Sequence, residues 1–467
     1  MSSPTFRLSD DAIRAALTPG PEIHAPDGLG NDIRLAIEPV AQRRPGRFAW
    51  RPSGQVRIAL RVALAAALLL LLVAALWLAG TTLNPAPPAV VSTYHGGPAR
   101  TGIQPGPAPE GWPQIPGGGT VSMQGPFGPW GPAVAMGLVL TGDQRGHVTA
   151  NDLRSHAQIW QVSGEAAINS ALTVAGDLVL VGDDSGVLRA LRIADGSEEW
   201  RWTAPSGQPI HSSPAVLGDV AVVGSLGGEL VALDAATGAI RWSLNPVGGQ
   251  VSRGIAAADG IAYVGVGGAT PTDRGTLQAW DIANGAKRWS ASLQPGNTST
   301  PAVADGRVFV TGGLDAQSDP RHALYAFDAT TGQRAWPAPW SSETGQSLYI
   351  DAVADGLVLV GSSDGQLVAL DAATGAIRWG PNPVGAAMSP NGGVVDGVLY
   401  ATVGQQGVTA VDLATGDTIW TIKVKGEPSA PTIVDGHILV DTTLGKLVWI
   451  DGGGLARSLV PAPPNGG

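Results

Sequence analysis

The chain has 467 residues, no cysteine, 66 glycines and 37 prolines, with 44% hydrophobic residues, 14% charged residues and a formal net charge of −10. The lack of cysteine excludes disulfides, thiolate metal centres, covalent haem and cysteine nucleophiles, and the acidic balance excludes a basic track for nucleic acid. Its apolar fraction is ample for a core, while so much Gly and Pro favours many turns over long helices.

Residues 1–57 read as a cytoplasmic tail with two short helical segments. Ser9-Asp10-Asp11 would cap the run from Ala12 to Leu17, which Pro19-Gly20 ends; Asn31 or Asp32 would cap the run from Ile33 to Ile37, which Pro39 ends. Two such fragments joined by Pro/Gly-rich sequence make no core, so the tail is expected to be largely disordered and able to dock on a cytoplasmic partner. Residues 58–80 are the expected transmembrane helix. Val62–Ala79 is an 18-residue apolar run without a charge, about 27 Å of helix against a hydrocarbon core of about 30 Å. Arg43, Arg44, Arg47, Arg51 and Arg57 precede it, which puts the N-terminus in the cytoplasm and everything after the span outside. The run lies too deep in the chain, and Leu78-Ala79-Gly80 is too poor a cleavage site, for a removed signal peptide. Residues 1–57 carry eight Arg against six Asp/Glu, a net of +2, whereas the chain beyond Arg61 carries 19 basic against 32 acidic residues, a net of −13. Residues 81–90, with Asn84-Pro-Ala-Pro-Pro88, form a stiff Pro-rich linker.

From residue 91 to about 460 a unit recurs every 40 to 48 residues. Asp-Ala-Ala-Thr-Gly-Ala-Ile-Arg-Trp occurs twice, at Asp234–Trp242 and Asp371–Trp379, with degraded copies at Asp281–Trp289, Asp328–Trp336 and Asp412–Trp420. Around each copy, short β-branched runs alternate with Gly-containing turns, the pattern of a four-stranded antiparallel meander. Asp-Gly pairs at 259–260, 305–306, 355–356, 396–397 and 435–436 mark its first hairpin, where both turn residues need positive φ. One such sheet cannot bury both faces, and a ring of them can, so the class is all-β and the architecture a β-propeller. Trp160, Trp200, Trp242, Trp289, Trp336, Trp379 and Trp420 each close a unit; the last unit has three strands, and Trp112, 48 residues before Trp160, supplies the missing one. The expectation is eight blades, the eighth closed by an N-terminal strand, with these tryptophans packed between blades.

Gly228–Trp242 and Gly365–Trp379 match the pattern G-x-L-x-A-L-D-x-x-T-G-x-x-x-W, and on these residues the repeats resemble the pyrroloquinoline-quinone (PQQ) enzyme repeat. The stretch Tyr94-His-Gly-Gly-Pro-Ala-Arg-Thr-Gly102 is similar to the segment that opens the first blade in that superfamily. The resemblance implies one of two functions: a quinoprotein dehydrogenase holding PQQ and Ca²⁺ on the axis, or a non-catalytic scaffold such as the lipoprotein subunit of the outer-membrane barrel assembly machinery. Without cysteine, the disulfide on which many such dehydrogenases stack the quinone cannot form, and Thr81 stands where a lipoprotein would need Cys. No inserted set of Glu, Asn and Asp suits a calcium–quinone site, and the seven His lack metal-ligand spacing. The repeated Asp234, Asp281, Asp328, Asp371 and Asp412 belong to turns. No catalytic residue, no metal and no cofactor are therefore assigned.

Two places are candidates for binding. Loops 267–275 and 312–321 and the blade-to-blade loop 337–346 crowd one sector of one face, where Trp340, outside the repeat series, stands with Arg274, Asp315 and Arg321. At the starts of the first strands the usual Ser/Thr-Pro gives way to Ser252-Arg253-Gly254 and to Tyr349-Ile-Asp351, and His211 precedes a third. Arg253 and Asp351 would line the channel mouth for a small anion or polar ligand, or pair across it. The sequence thus implies a propeller anchored by its own helix that binds an envelope protein or small ligand without catalysis; a transmembrane sensor and a quinoprotein oxidoreductase are the alternatives.

Overall fold

In a computed structural model the described residues are 90–453, except 94, 110–111, 115–118, 124–129, 268–273, 296–297, 314–321, 343–345, 385–387 and 405–406. The tail, the apolar span Ile58–Gly80 and nearly all of the linker lie outside them. The described residues belong to one compact unit, Pro87–Gly467.

They form eight blades of antiparallel strands in sequence order. Blade 3 shows the plan: Ala215–Leu217, Val220–Gly224, Leu230–Asp234 and Ile240–Leu244, each paired with the next. Blades 1 and 2 repeat it from Ala133 to Ser163 and from Thr173 to Thr203, and blades 6 and 7 from Leu348 to Pro383 and from Met388 to Ile422. Blades 4 (Ala256–Ala258, Ile261–Val266, Arg274–Asp281, Lys287–Pro295) and 5 (Ala302–Ala304, Arg307–Gly313, His322–Asp328, Trp340–Ser341) are joined where Gln294 pairs with Gly313. The first hairpins turn as the Asp-Gly pairs require: Asp259 and Gly260 have φ of 51° and 75°, and the other four pairs agree.

Blade 8 closes the ring as the repeat count demands. Thr432–Val434, His437–Thr442 and Lys446–Gly453 are completed by two N-terminal strands, Trp112–Gln114 and Thr120–Ser122, both on Lys446–Gly453. The closing register differs from the expectation. In blades 1–4 and 6–7 the repeat Trp faces the central Ala of the third strand, as Trp242 faces Ala232; in blade 8 that central residue is itself Trp449, and Trp112 faces Gly453, four residues on.

The repeated Gly and Trp join blades to each other. Six of the repeat indoles donate from Nε1 to a carbonyl of the following blade: Trp160 to Ile193 (2.8 Å), Trp200 to Ala235 (3.1 Å), Trp242 to Ile282 (2.7 Å), Trp289 to Ala329 (2.9 Å), Trp336 to Ala372 (3.1 Å) and Trp379 to Leu413 (2.9 Å). Trp449 makes the same bond from blade 8 to Leu153 of blade 1 at 3.0 Å, so the indole that seals the ring comes from the third strand. The Thr-Gly turn supplies the other half of the joint. A Cβ on Gly238 would stand 2.7 Å from the Trp200 ring, and one on Gly285 would stand 2.9 Å from Trp242. Only glycine lets the turn lie flat on the preceding blade's indole. The core is a series of such inter-blade layers, for example Leu180, Leu188 and Trp200 of blade 2 against Ala221, Val223 and Val231 of blade 3.

The repeated Asp is a turn residue. Asp234 Oδ1 accepts from the Ala236 and Thr237 amides and the Thr237 hydroxyl, while Arg241 bonds its other oxygen at 2.8 Å. Asp371 does the same with Thr374 and Arg378.

Candidate functional site

Residues 91–106 open no blade, in contrast to the expectation for residues 94–102. They run round the axis as a belt. Val91 pairs with Val134 of blade 1, the Ser92 carbonyl accepts from Val174 of blade 2 at 2.7 Å, Pro98 from Ala257 of blade 4 at 2.7 Å, Ala99 from Val303 of blade 5 at 2.8 Å, Thr101 from Val353 of blade 6 at 2.6 Å and Gly102 from Val394 of blade 7 at 2.8 Å. Gln104 completes the circuit on blade 8, donating to the Pro431 carbonyl at 2.9 Å and accepting from the Ile433 amide at 2.6 Å. Blade 3 is reached by a side chain. Fully buried Arg100 donates to the carbonyls of Ser213 (3.1 Å), Pro214 (2.7 Å) and Ile255 (3.0 Å) and to the Thr93 hydroxyl (2.6 Å). Two glycines permit the close approach: Gly96 has φ +86° with the Ile103 carbonyl against its α-carbon, and Gly102 has φ +80° against Ala352.

Above this floor, the first-strand starts fall into a strict register. Ser170, Ser212, Ser299 and Ser429 each stand 12 residues before a second-strand residue whose amide donates to the serine hydroxyl: Gly182 (3.2 Å), Gly224 (2.9 Å), Thr311 (3.0 Å) and Asp441 (3.1 Å). Each such bond knits two strands together, worth about 0.5–1.5 kcal/mol. Gly142, Gly265 and Gly361 occupy the partner position in blades 1, 4 and 6, and counting back 12 gives Trp130, Arg253 and Tyr349. Those three blades have exchanged the knitting hydroxyl for a large side chain. All three line one axial cavity of about 150 Å³, together with His95 from the belt, Thr298–Thr300 and Thr311 of blade 5, His322, and Ser347–Ile350 of blade 6. The belt meets each first strand four residues further along, as Val134 follows Trp130 and Val353 follows Tyr349, about 13 Å deeper at 3.3 Å per residue. The cavity is a cup with its floor at the belt.

Of the eight residues singled out from sequence, Arg253 and Tyr349 line this cup. Asp351 does not: it is fully buried two residues further along the strand, where a Cβ on Gly392 of blade 7 would stand 3.2 Å from its own. Arg253 makes no ion pair among the described residues, so the two do not bridge the channel. His211 sits one blade away with its Nε2 2.8 Å from Asp184. Trp340 is half-buried, faces Leu324 in the short fourth strand of blade 5 and packs on the layer between blades 5 and 6, so inter-blade packing does account for it. Arg274 begins an exposed strand end; Asp315 and Arg321 lie outside the described residues. Thr311 and His322 flank the loop at 312–321, so both candidate places converge on blades 4 to 6.

Sequence reading missed His95, Trp130 and His322. Trp130 had a signal, since it stands 12 residues before Gly142 in the slot of Ser170. His95 had none, because only the belt's course brings it to the axis. Burial pushes the His322 imidazole below its ordinary pKa of 6.5, which favours the neutral ring. Among the described residues no Asp or Glu lines the cup, and no group of three or more His, Cys, Asp or Glu comes together. A second carboxyl lies close by. Asp441 of blade 8 lines a small void with Trp130, Thr141 and Ser170, and burial pushes its pKa up to about 8.

The family model of the outer membrane protein assembly factor BamB matches residues 114–249, 234–388 and 382–457, together most of the chain. The chain belongs to the BamB family of PQQ-repeat propellers. The crystal structure of BamB from Moraxella catarrhalis superposes with a TM-score of 0.56 at 18% identity, over 73% of this chain and 100% of that one. The quinohemoprotein alcohol dehydrogenase from Comamonas testosteroni gives 0.57 at 16% identity, over 82% and 83%. The computationally designed Ika8 protein gives 0.58 at 16%, over 71% and 98%. No curated protein matches the chain in sequence. Such identities carry the ring and nothing finer. The resemblance of the repeats to the PQQ enzyme repeat implies calcium and a quinone on the axis, and calcium takes six to eight oxygen ligands, carboxylates among them. The described lining of the cup offers hydroxyls and carbonyls but no carboxylate, a donor set that does not fit that ion.

Proposed function

We propose that this BamB-family propeller is a non-catalytic binding scaffold, held at the cell membrane by the span at residues 58–80 and working outside the cytoplasm on an envelope protein. The observation that carries this reading is the composition of the axial cup, whose described residues gather a guanidinium, imidazoles, hydroxyls and aromatic rings and include no carboxylate to serve as base or calcium ligand. Family membership supports it, because BamB is named as an assembly factor. The loops around 267–275, 312–321 and 337–346 are the surface on which the partner is expected to dock, with Trp340 and Arg274 at their described ends.

Crosslinking in intact cells, with photoreactive residues placed at Arg274 and Ser342 and on the opposite rim at Ile159, tests this. Capture of one envelope protein from the first two sites and not from the third supports the scaffold. Thermal unfolding with PQQ and Ca²⁺ tests the dehydrogenase alternative in the same preparation, since a ligand at about 100 times its Kd raises stability by about 2.7 kcal/mol. A saturable rise, with dye-linked oxidation of an alcohol or sugar, would replace the scaffold reading. The sensor alternative requires the two helical segments of the tail to become protease-resistant in the presence of a cytosolic partner.

A further inference from the structure

The register at the first-strand starts raises a question that the scaffold reading leaves open. A serine in that slot ties two strands together, and blades 2, 3, 5 and 8 keep it. Blades 1, 4 and 6 give up that bond, and all three replacements project into the same cup. Packing does not require this of Arg253. That residue is partly buried, lines the cup and has no hydrogen bond or ion pair among the described residues, although the chain beyond Arg61 is net acidic by 13 charges. Arg241, Arg288 and Arg378, on the rim of the same ring, all have carboxylate partners. An Arg fork facing a hydroxyl-lined hollow is matched by a planar oxyanion, which takes two parallel N–H bonds from it.

We propose that the axial cup binds a single carboxylate group, held by Arg253 and by the hydroxyls of Thr298, Thr300 and Ser347, with Trp130 and Tyr349 forming its walls. The charge count sets the class. Arg253 is the only Lys or Arg that lines the cup among the described residues, which matches one singly charged carboxylate better than a doubly charged phosphate. The volume sets the size. About 150 Å³ is room for about five waters, which suits a short free carboxylate or one acidic side chain reaching in from a partner. The belt lies at the floor of the cup, so either source is expected to enter from the end opposite it.

Isothermal titration of the full-length chain at constant ionic strength separates the possibilities. The probes are propionate, its neutral isostere propionamide, inorganic phosphate, and the peptides Gly-Gly-Glu-Gly-Gly and Gly-Gly-Gln-Gly-Gly with both ends blocked. Expected is saturable binding of propionate or of the Glu peptide in the range below about 10 mM, with propionamide, phosphate and the Gln peptide at least about tenfold weaker. Saturation by propionate assigns the cup to a free carboxylate; saturation by the Glu peptide alone assigns it to a partner's side chain. Arg253→Gln should weaken whichever binds by at least about tenfold, and Arg253→Lys, which keeps the charge without the fork, should fall between. Both variants should unfold at the wild-type temperature without ligand, because Arg253 has no hydrogen-bond or ion-pair partner to lose among the described residues. Absence of saturation by both carboxylates, equal binding of the neutral isosteres, tighter binding of phosphate, or unchanged affinity in Arg253→Gln would overturn the assignment. Loss of the envelope partner in the crosslinking experiment would leave a propionate isotherm standing, so the two readings fail separately.

Discussion

Blades 3 and 6 carry the same hydrogen bonds at the rim: Thr237 and Arg241 on Asp234 in one, Thr374 and Arg378 on Asp371 in the other. At the axis the same two blades part company, with Ser212 tying two strands together in blade 3 and Tyr349 turned into a cavity in blade 6. The difference follows from whom each residue faces. Rim residues face their own turn or the identical rim of the next blade, so one solution serves throughout. Axial residues face a belt that passes each blade with different side chains, and a cup that only some blades line. The repeat holds where the surroundings repeat.

Four perturbations test this contrast, and the largest effect belongs to the axis. Arg100→Met leaves the carbonyls of Ser213, Pro214 and Ile255 without their donor at the bottom of the ring. We expect a loss of about 3–5 kcal/mol in denaturant unfolding, and a loss below about 1 kcal/mol would show that the belt is an ornament on a self-sufficient ring. Next comes the joint between blades. Gly285→Ala forces a Cβ at positive φ against Trp242, whereas Gly260→Ala has a similar φ and nothing within 4 Å. About 2–4 kcal/mol for the first against about 1–2 for the second is expected, and equal losses would mean that only the turn conformation matters.

A pH effect follows at the axis. The Asp441 carboxyl has a folded pKa of about 8 against an ordinary 3.8. Between these values the unfolded chain has shed a proton that the folded chain keeps, so stability falls as pH rises from about 4 to 8. Asp441→Asn should match wild type near pH 4 and lack the decline, with an advantage of about 1–3 kcal/mol at pH 8 in urea titrations. An identical slope in both proteins would put the carboxyl in contact with water. The smallest effect is at the rim, where Arg378→Ala breaks an exposed pair with Asp371 and should move the thermal midpoint by no more than about 1 °C.

The ring was legible in the sequence because its determinants are local and repeated. Asp-Gly needs left-handed φ, Thr-Gly is followed by a Trp, and counting the tryptophans gives eight blades with a borrowed strand. Trp112 reads as the missing member of the series, and its strand does complete blade 8, but opposite Gly453; the indole that bonds the Leu153 carbonyl is Trp449, one strand further in. Arg253 and Tyr349 were visible as departures from Ser/Thr-Pro, whereas Asp351 was not separable from them by composition, since two residues along a strand is enough to carry a side chain from the mouth into the wall. The belt was beyond reach of any local pattern. Its Gly and Pro residues read as an opening loop, and its partners are spread over the whole domain.

That spread bears on how the ring is made. Gln104 is bonded to Pro431 and Ile433, separations of 327 and 329 residues, and Trp112–Gln114 waits for the strand Lys446–Gly453. The stretch that leaves the ribosome ahead of every blade is thus the last to acquire its full set of partners. Contacts of such long range slow folding, and a nascent propeller with seven blades complete still has its belt hanging at one end and an open edge at the other. The ring cannot be locked until its last blade is made, and the stretch that locks it was made before the first.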